Sequence, residues 1–141
     1  MRFHAYDDPG HATANTLAAL GAGARHASVT VTGLGERAGN AALEEVAVAL
    51  ARFGSSQTGI DPRALRRLVV KVREAAGLPL PRGKAIVGED VFTHESVIHG
   101  AGLLRDRATY EALDPEMLGR IRRIVIGKHS GVAAIKRALA T

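Results

Sequence analysis

Three small groups of side chains have the types and spacing to do chemistry. His4 is followed by Asp7 and Asp8, and imidazole with carboxylates is a donor set for a divalent metal. The same residues also read as a strand-end histidine beside solvated aspartates. In an extended segment His4, Tyr6 and Asp8 share one face, so Tyr6 stands where a second ligand would be expected. Glu95 and His99 are four apart and meet on a helix, where the carboxylate orients the ring and favours imidazolium. That suits acid/base work, and it equally describes a surface pair. Tyr110 is either a proton donor or a core tyrosine with a wet hydroxyl. Residues 127–131, GKHSG, resemble half a P-loop without the upstream glycine. A helix start capped by Ser130 accounts for them.

These groups hang on a regular scaffold. Val29 to Thr32 is a β-branched run that reads as a strand. Gly33, Gly35 and Gly39 follow as a loop carrying Glu36 and Arg37. Asn40 is expected to open a helix whose apolar positions are Leu43, Val46, Leu50 and Phe53, with Glu44 and Glu45 in its first turn. The glycines miss the dinucleotide spacing, because three residues and not two separate Gly35 from Gly39. Upstream, residues 2–6 read as a short strand and 11–23 as a small-residue helix, so two βα units precede residue 55.

Asp61 and Pro62 start another helix with Leu65, Leu68, Val69 and Val72 on one stripe and Gly77 as its stop. Residues 78–83, LPLPRG, form a Pro-punctuated linker that marks a boundary. Ile86 to Phe92 reads as extended, 94–104 as a short helix, and Asp114–Pro115 as a second capped start ended by Gly119. Residues 121–126 fit strand or helix, and a last helix follows Ser130.

At 141 residues and 46% apolar composition the chain has room for a real core. Without cysteine it has no disulfide or thiolate chemistry. There is no long apolar run to span a membrane and no signal-peptide apolar region near the first residue, so a cytoplasmic protein is expected. The net charge of +5 is uneven: residues 1–60 hold 4 Lys/Arg and 5 Asp/Glu, and residues 61–141 hold 15 and 9. No stacking set or nucleic-acid module accompanies that charge, so neither nucleic acid nor membrane is expected as a partner. An anionic ligand or a solvated Arg-rich surface fits it.

Four blocks carry a resemblance: HAYDDPGHATANTLAALGAGA (4–24), TVTGLGERAGNAALEEVAVAL (30–50), VFTHESVIHGAGLL (91–104) and TYEALDPEMLGRIRRIVIGKHSG (109–131). The chain resembles the homocitrate synthase and 2-isopropylmalate synthase family of acyl-CoA condensing enzymes. Asp7-Asp8 followed by ATANTLAAL is most similar to the nitrogen-fixation type of homocitrate synthase. The resemblance implies an α/β protein: residues 1–57 as the last two βα units of a TIM barrel, residues 58–141 as the mostly helical subdomain after it. It implies condensation of acetyl-CoA with 2-oxoglutarate, by a fragment inactive alone. Isopropylmalate or citramalate synthase is the alternative, as is a non-catalytic remnant or dimerisation module.

The implied cofactor is a divalent metal (Mg²⁺ or Mn²⁺, or Zn²⁺), with acetyl-CoA as co-substrate. His4 and Asn40 match metal ligands, and Tyr6 replaces the family's second histidine. His99 and Tyr110, with Glu95, match the acid/base residues; Glu36, Arg37 and His94 match substrate-pocket positions. Val97 and Ala101 replace a glycine and an aspartate of the family pattern beside His99. The family works as a homodimer, and a separate chain carrying the missing barrel units is a possible partner of this one.

Overall fold

The computed structural model describes residues 1–54, 58–94 and 112–125. Its first unit is strand β1 (Arg2–His4), helix α1 (Ala12–Gly21) and strand β2 (His26–Ser28). The two strands run parallel, with Arg2 opposite His26, Phe3 opposite Ala27 and His4 opposite Ser28. Parallel neighbours need a crossover, and α1 supplies it. No side chain of the preceding residue caps α1; instead Asp7 Oδ1 accepts from Ala12 N at 2.8 Å, five residues away.

The expected strand at Val29–Thr32 is displaced. β2 ends at Ser28, and Thr30 makes a single bridge to Ala42. Thr30 N donates to Ala41 O and Leu43 N to Thr30 O, so the returning chain takes the groups a ladder would have used. Val31–Gly33 then forms a 3₁₀ turn in which Thr32 has φ 56°. Asn40 does not open a helix. It is paired with Tyr6 in an antiparallel bridge, and helix α2 begins three residues later, over Leu43–Phe53. Val46 of the expected stripe is buried, whereas Phe53 is 73% exposed.

Asp61 caps as expected: its Oδ1 accepts from Arg63 N at 2.9 Å. One 3₁₀ turn (Pro62–Ala64) then leads into helix α3 (Leu65–Ala75). Leu65 and Val69 are buried, and Leu68 is 39% exposed. Ile86 to Phe92 is not an extended segment but a run of tight turns, with Ile86 at φ 69°. Arg82 holds the run together. Its Nε and Nη2 donate to Asp90 at 2.7 Å each and its Nη1 to Glu89 at 3.0 Å. A short strand β3 (Thr93–His94) lies parallel to β4 (Arg123–Ile124), so within the stretch read as strand or helix the two residues 123–124 are strand. Between them Asp114 Oδ1 accepts from Glu116 N at the start of a single 3₁₀ turn, Pro115–Leu118. The helices expected over 94–104 and after Ser130, and the GKHSG stretch, lie outside the described residues.

Two apolar clusters carry the packing among the described residues. One joins Ala5, Ala12, Ala41 and Val46, with Phe3, Leu17, Leu20, Val29 and Leu50 against it. The other joins Val48 of α2 to Leu65 and Val69 of α3 and to Ile86, Val87, Phe92 and Leu118. No helix among the described residues is long and apolar enough to cross a membrane.

Gly88 is the tightest point of the second cluster's turns. A Cβ there would lie 2.6 Å from both Lys84 N and Lys84 O and would also strike Arg82 O. Backbone cannot retreat as a flexible side chain can. Gly88→Ala is expected to cost about 2 kcal/mol in urea unfolding. Gly83→Ala, where a Cβ meets nothing within 4 Å, should change stability by less than about 0.5 kcal/mol.

A candidate active-site face

Alternation along β1 separates two chemistries. Ala5 is buried and Phe3 half-buried on the side covered by the helices. Arg2, His4 and Tyr6 stand on the other side and are exposed, with His26 and Ser28 beside them by register. The sheet is thus greasy toward α1 and α2 and polar on its open face.

Tyr6 is the centre of that face. Its ring meets the His4 ring edge-on, with centroids 5.0 Å apart, and Arg37 Cζ lies 3.9 Å above it on the ring normal side. Arg37 is clamped by Asp8: Nε reaches Oδ1 at 3.1 Å and Oδ2 at 3.0 Å, and Nη2 reaches Oδ2 at 2.8 Å. Hydrogen bonding from Arg37 holds the Asp8 carboxyl below the usual carboxylate range. The same contact raises Arg37 above its ordinary value.

The loop from Gly33 to Gly39 brings Arg37 there by folding back on itself. Asn40 N donates to Gly33 O, Gly39 N to Glu36 O, and Asn40 Nδ2 to Leu34 O at 3.0 Å. Gly39 sits at φ 93° against Gly33 O, a place no Cβ could share. Asn40 Oδ1 is buried with no hydrogen-bond partner among the described residues. It is an open acceptor on the residue whose backbone pairs with Tyr6.

Of the predicted site residues, His4, Arg37 and Asn40 come together around Tyr6. Glu36 is on the same loop, exposed to solvent. The metal cluster of His4, Asp7 and Asp8 does not assemble: Asp7 caps α1 and Asp8 is spent on Arg37. Among the described residues no three His, Asp or Glu side chains are grouped to hold a metal. His94 is described in backbone only, and Glu95, His99 and Tyr110 lie outside the described residues.

The sequence reading missed what anchors the loop. Glu44 is fully buried. Its Oε2 accepts from Thr32 N at 2.9 Å, and Lys84 Nζ lies 3.7 Å from its Oε1. Lys84 also meets Glu45 Oε1 at 2.5 Å, and Glu45 Oε2 accepts from Thr13 at 2.7 Å. Glu44 is four residues before buried Val48, so helical spacing alone puts it on the inward side. No local pattern pointed to Lys84, 40 positions further along the chain.

Comparison with known proteins gives the family. Residues 1–72 match the HMGL-like family model, and residues 86–141 match the model described as homocitrate synthase post-HMGL domain-like. The chain belongs to the HMGL-like family, whose fold points to a TIM barrel. It is 55% identical to a homocitrate synthase of Frankia alni over 96% of its own length and 39% of that protein. It is 53% identical to 2-isopropylmalate synthase 2 of Caldanaerobacter subterraneus over 96% of the chain and 35% of the relative. It is 52% identical to a provisionally named (R)-citramalate synthase of Methanopyrus kandleri over 99% of the chain and 27% of the relative. The chain therefore spans about a third of the length of the curated relatives it matches.

Two outcomes follow from the geometry. Asp8 has a depressed folded pKa, so its contribution to stability is present above the ordinary aspartate value and is lost as pH falls through the folded value. Arg37→Gln should move the Asp8 pKa up toward about 3.9, read by carbon-detected NMR titration of the carboxyl. Glu44→Ala strips the Thr32 amide of its partner and Lys84 of one of its two carboxylates. It should cost about 3 kcal/mol in urea unfolding, whereas Glu36→Ala on the exposed loop should cost less than about 0.5 kcal/mol.

Proposed function

We propose that this chain is the C-terminal portion of an acetyl-CoA-dependent condensing enzyme of the homocitrate synthase type. Residues 1–57 then supply the last two βα units of a TIM barrel, and residues 58–141 the subdomain that follows. The observation that carries the reading is the two-sided sheet: a polar face bearing His4, Tyr6 and the Asn40 bridge, backed by an apolar face under two helices. Inside a closed barrel the polar face would line the mouth where barrel enzymes work.

A divalent cation is tested by the donors present. The buried, unpartnered Asn40 Oδ1 and the exposed His4 imidazole fit it as two neutral ligands. These two residues would hold it, and once bound it would polarise the carbonyl of a 2-oxo acid. Remaining ligands would come from outside the described residues. Arg37 gives Nε and Nη2 to Asp8 and keeps Nη1 for a substrate carboxylate, with Glu36 beside it on the loop. Proton removal from the acetyl methyl group falls to His99, oriented by Glu95, with Tyr110 assisting and His94 near the pocket. The enolate then attacks the ketone, and hydrolysis of the thioester releases CoA. The complete enzyme would act as a homodimer on small molecules, in the cytoplasm.

2-Oxoglutarate is the preferred acceptor in this reading, from the similarity of residues 4–24 to the homocitrate type. Isopropylmalate and citramalate synthases stand among the relatives at about the same identity as homocitrate synthase. A second reading, a non-catalytic remnant that keeps an interface, draws on Tyr6. A phenol covered by Arg37 occupies the position of the family's second imidazole.

The test supplies the missing barrel. The chain is co-expressed with the first six βα units of a homocitrate synthase, and CoA release is followed by a thiol assay. The expected result is no turnover from the chain alone and turnover from the pair, with higher kcat/KM for 2-oxoglutarate than for 2-oxoisovalerate or pyruvate. His99→Ala in the pair should lower kcat by about 10²-fold. Preference for another oxo acid would move the assignment to that synthase. A folded but inactive pair would favour the remnant, and turnover by the chain alone would overturn the reading as a portion.

A further inference from the structure

The ion pair between Arg37 and Asp8 is carried by two short segments, and each is tied back to the same ammonium. On the loop side, Lys84 Nζ lies 3.7 Å from Glu44 Oε1, and Glu44 Oε2 accepts from Thr32 N at 2.9 Å. Gly33 O, on the next residue, accepts from Asn40 N at 2.9 Å and closes the loop that carries Arg37. On the helix side, Lys84 Nζ donates to Glu45 Oε1 at 2.5 Å, and Glu45 Oε2 accepts from Thr13 Oγ1 at 2.7 Å. Thr13 follows Ala12, whose amide donates to Asp7 Oδ1 at 2.8 Å, and Asp8 comes next after Asp7. The two arms meet where Asp7 N donates to Gly39 O at 2.9 Å. The contacts thus run in a closed ring. Lys84 is at one end of it, and the Arg37–Asp8 pair is braced at the other.

Lys84 is the ring's contribution from the chain beyond residue 57; the other members all lie within residues 1–57. Its backbone is fixed. Lys84 N donates to Pro81 O at 3.0 Å and Gly88 N to Lys84 O at 2.8 Å, and Gly88 packs too closely on it to admit a Cβ. Glu44 and Glu45 occupy the first turn of α2, where the helix dipole helps one ammonium to balance two carboxylates. Bonds in a connected polar network support one another, so removing the member that two arms share loosens both.

We infer that Lys84 is a positioning residue: through both arms it sets where Arg37 stands over Tyr6, and so where the guanidinium meets a substrate carboxylate. The substrate's part in this rests on the function proposed above; the placement of Arg37 does not. A small displacement of an orienting group costs rate even when the change lies away from the chemistry. Lys84 thereby ties the βα units to the segment after them by a contact that acts at the polar face.

Two measurements separate that placement from the proposed reaction. In the 141-residue chain Asp8 reports on the clamp, because the hydrogen bond from Arg37 holds its carboxyl low. Arg37→Gln gives the Asp8 titration with the clamp gone. Lys84→Met is expected to move the Asp8 carboxyl up toward that reference in an NMR titration, and Lys84→Arg to hold it low. Thr13→Val opens the helix arm with no change of charge, so an upward shift there reports the ring and not the field of the ammonium. Lys71→Met removes the same charge from an exposed position on α3 and should leave Asp8 where it is. In the co-expressed pair, Lys84→Met should raise KM for 2-oxoglutarate by about tenfold, the scale of one charge-assisted hydrogen bond, with KM for acetyl-CoA within about twofold. If the pair without substitutions does not turn over, the proposed function fails and the Asp8 titration still decides the role of Lys84. An unshifted Asp8 in folded Lys84→Met and Thr13→Val, or equal rises in the two KM values, would overturn that role. Should Lys84→Met not fold, the titration of Thr13→Val decides alone.

Discussion

A carboxylate with no exposure to water sits at the head of α2, and much of the fold is arranged to tolerate it. Burying Glu44 unpaired would cost several kcal/mol. The chain offsets this with one backbone N–H from Thr32 and one ammonium from Lys84. Each contribution imposes geometry. Thr32 must turn its amide inward and so takes φ 56°, a region that disfavours a β-branched residue. Lys84 must reach in from the turns after α3, and Arg82 with its two acidic partners holds those turns closed. The loop carrying Glu36, Arg37 and Asn40 therefore begins from a fixed point.

From that point outward the polar face is built by mutual restraint rather than by packing. Arg37 covers Tyr6 because Asp8 grips it; Asp8 is placed by the turn whose other aspartate caps α1. Asn40 is held by its own amide against Leu34 O, which leaves its oxygen without a hydrogen bond among the described residues. A buried acceptor without a partner costs about 1–3 kcal/mol. Asn40 Oδ1 shares that state with Glu44 Oε1 and three threonine hydroxyls among the described residues.

Some of this was legible in the sequence because it is local. Asp61-Pro62 and Asp114-Pro115 give their caps away, since an aspartate before proline has only nearby amides to serve. The alternation of β1 and the buried pair Leu65 and Val69 follow from period alone. What failed was decided at a distance. Val29–Thr32 has the composition of a strand, yet its backbone groups are claimed by residues 41–43 and its Thr32 amide by Glu44. Asn40 has the composition of a cap, yet Tyr6 pairs with its backbone. The turns at 86–92 follow from arginine bonds to carbonyl oxygens, which no hydrophobic pattern encodes. The candidate site residues come from motif resemblance, and only the structure shows that Asp7 and Asp8 have other partners.

The second apolar cluster has a bearing on how such chains can be recombined. Val48 belongs to the βα part, whereas Leu65, Val69, Phe92 and Leu118 follow it in the chain, and Lys84 answers two glutamates of α2. A hybrid that joined residues 1–57 of one relative to residues 58–141 of another would cut through this shared interior. Partners would have to be matched for the volume at Val48 and for the charge at Glu44 and Lys84. Recombination between members of the family is therefore less disruptive by grafting the exposed Tyr6–Arg37 surface than by trading whole segments.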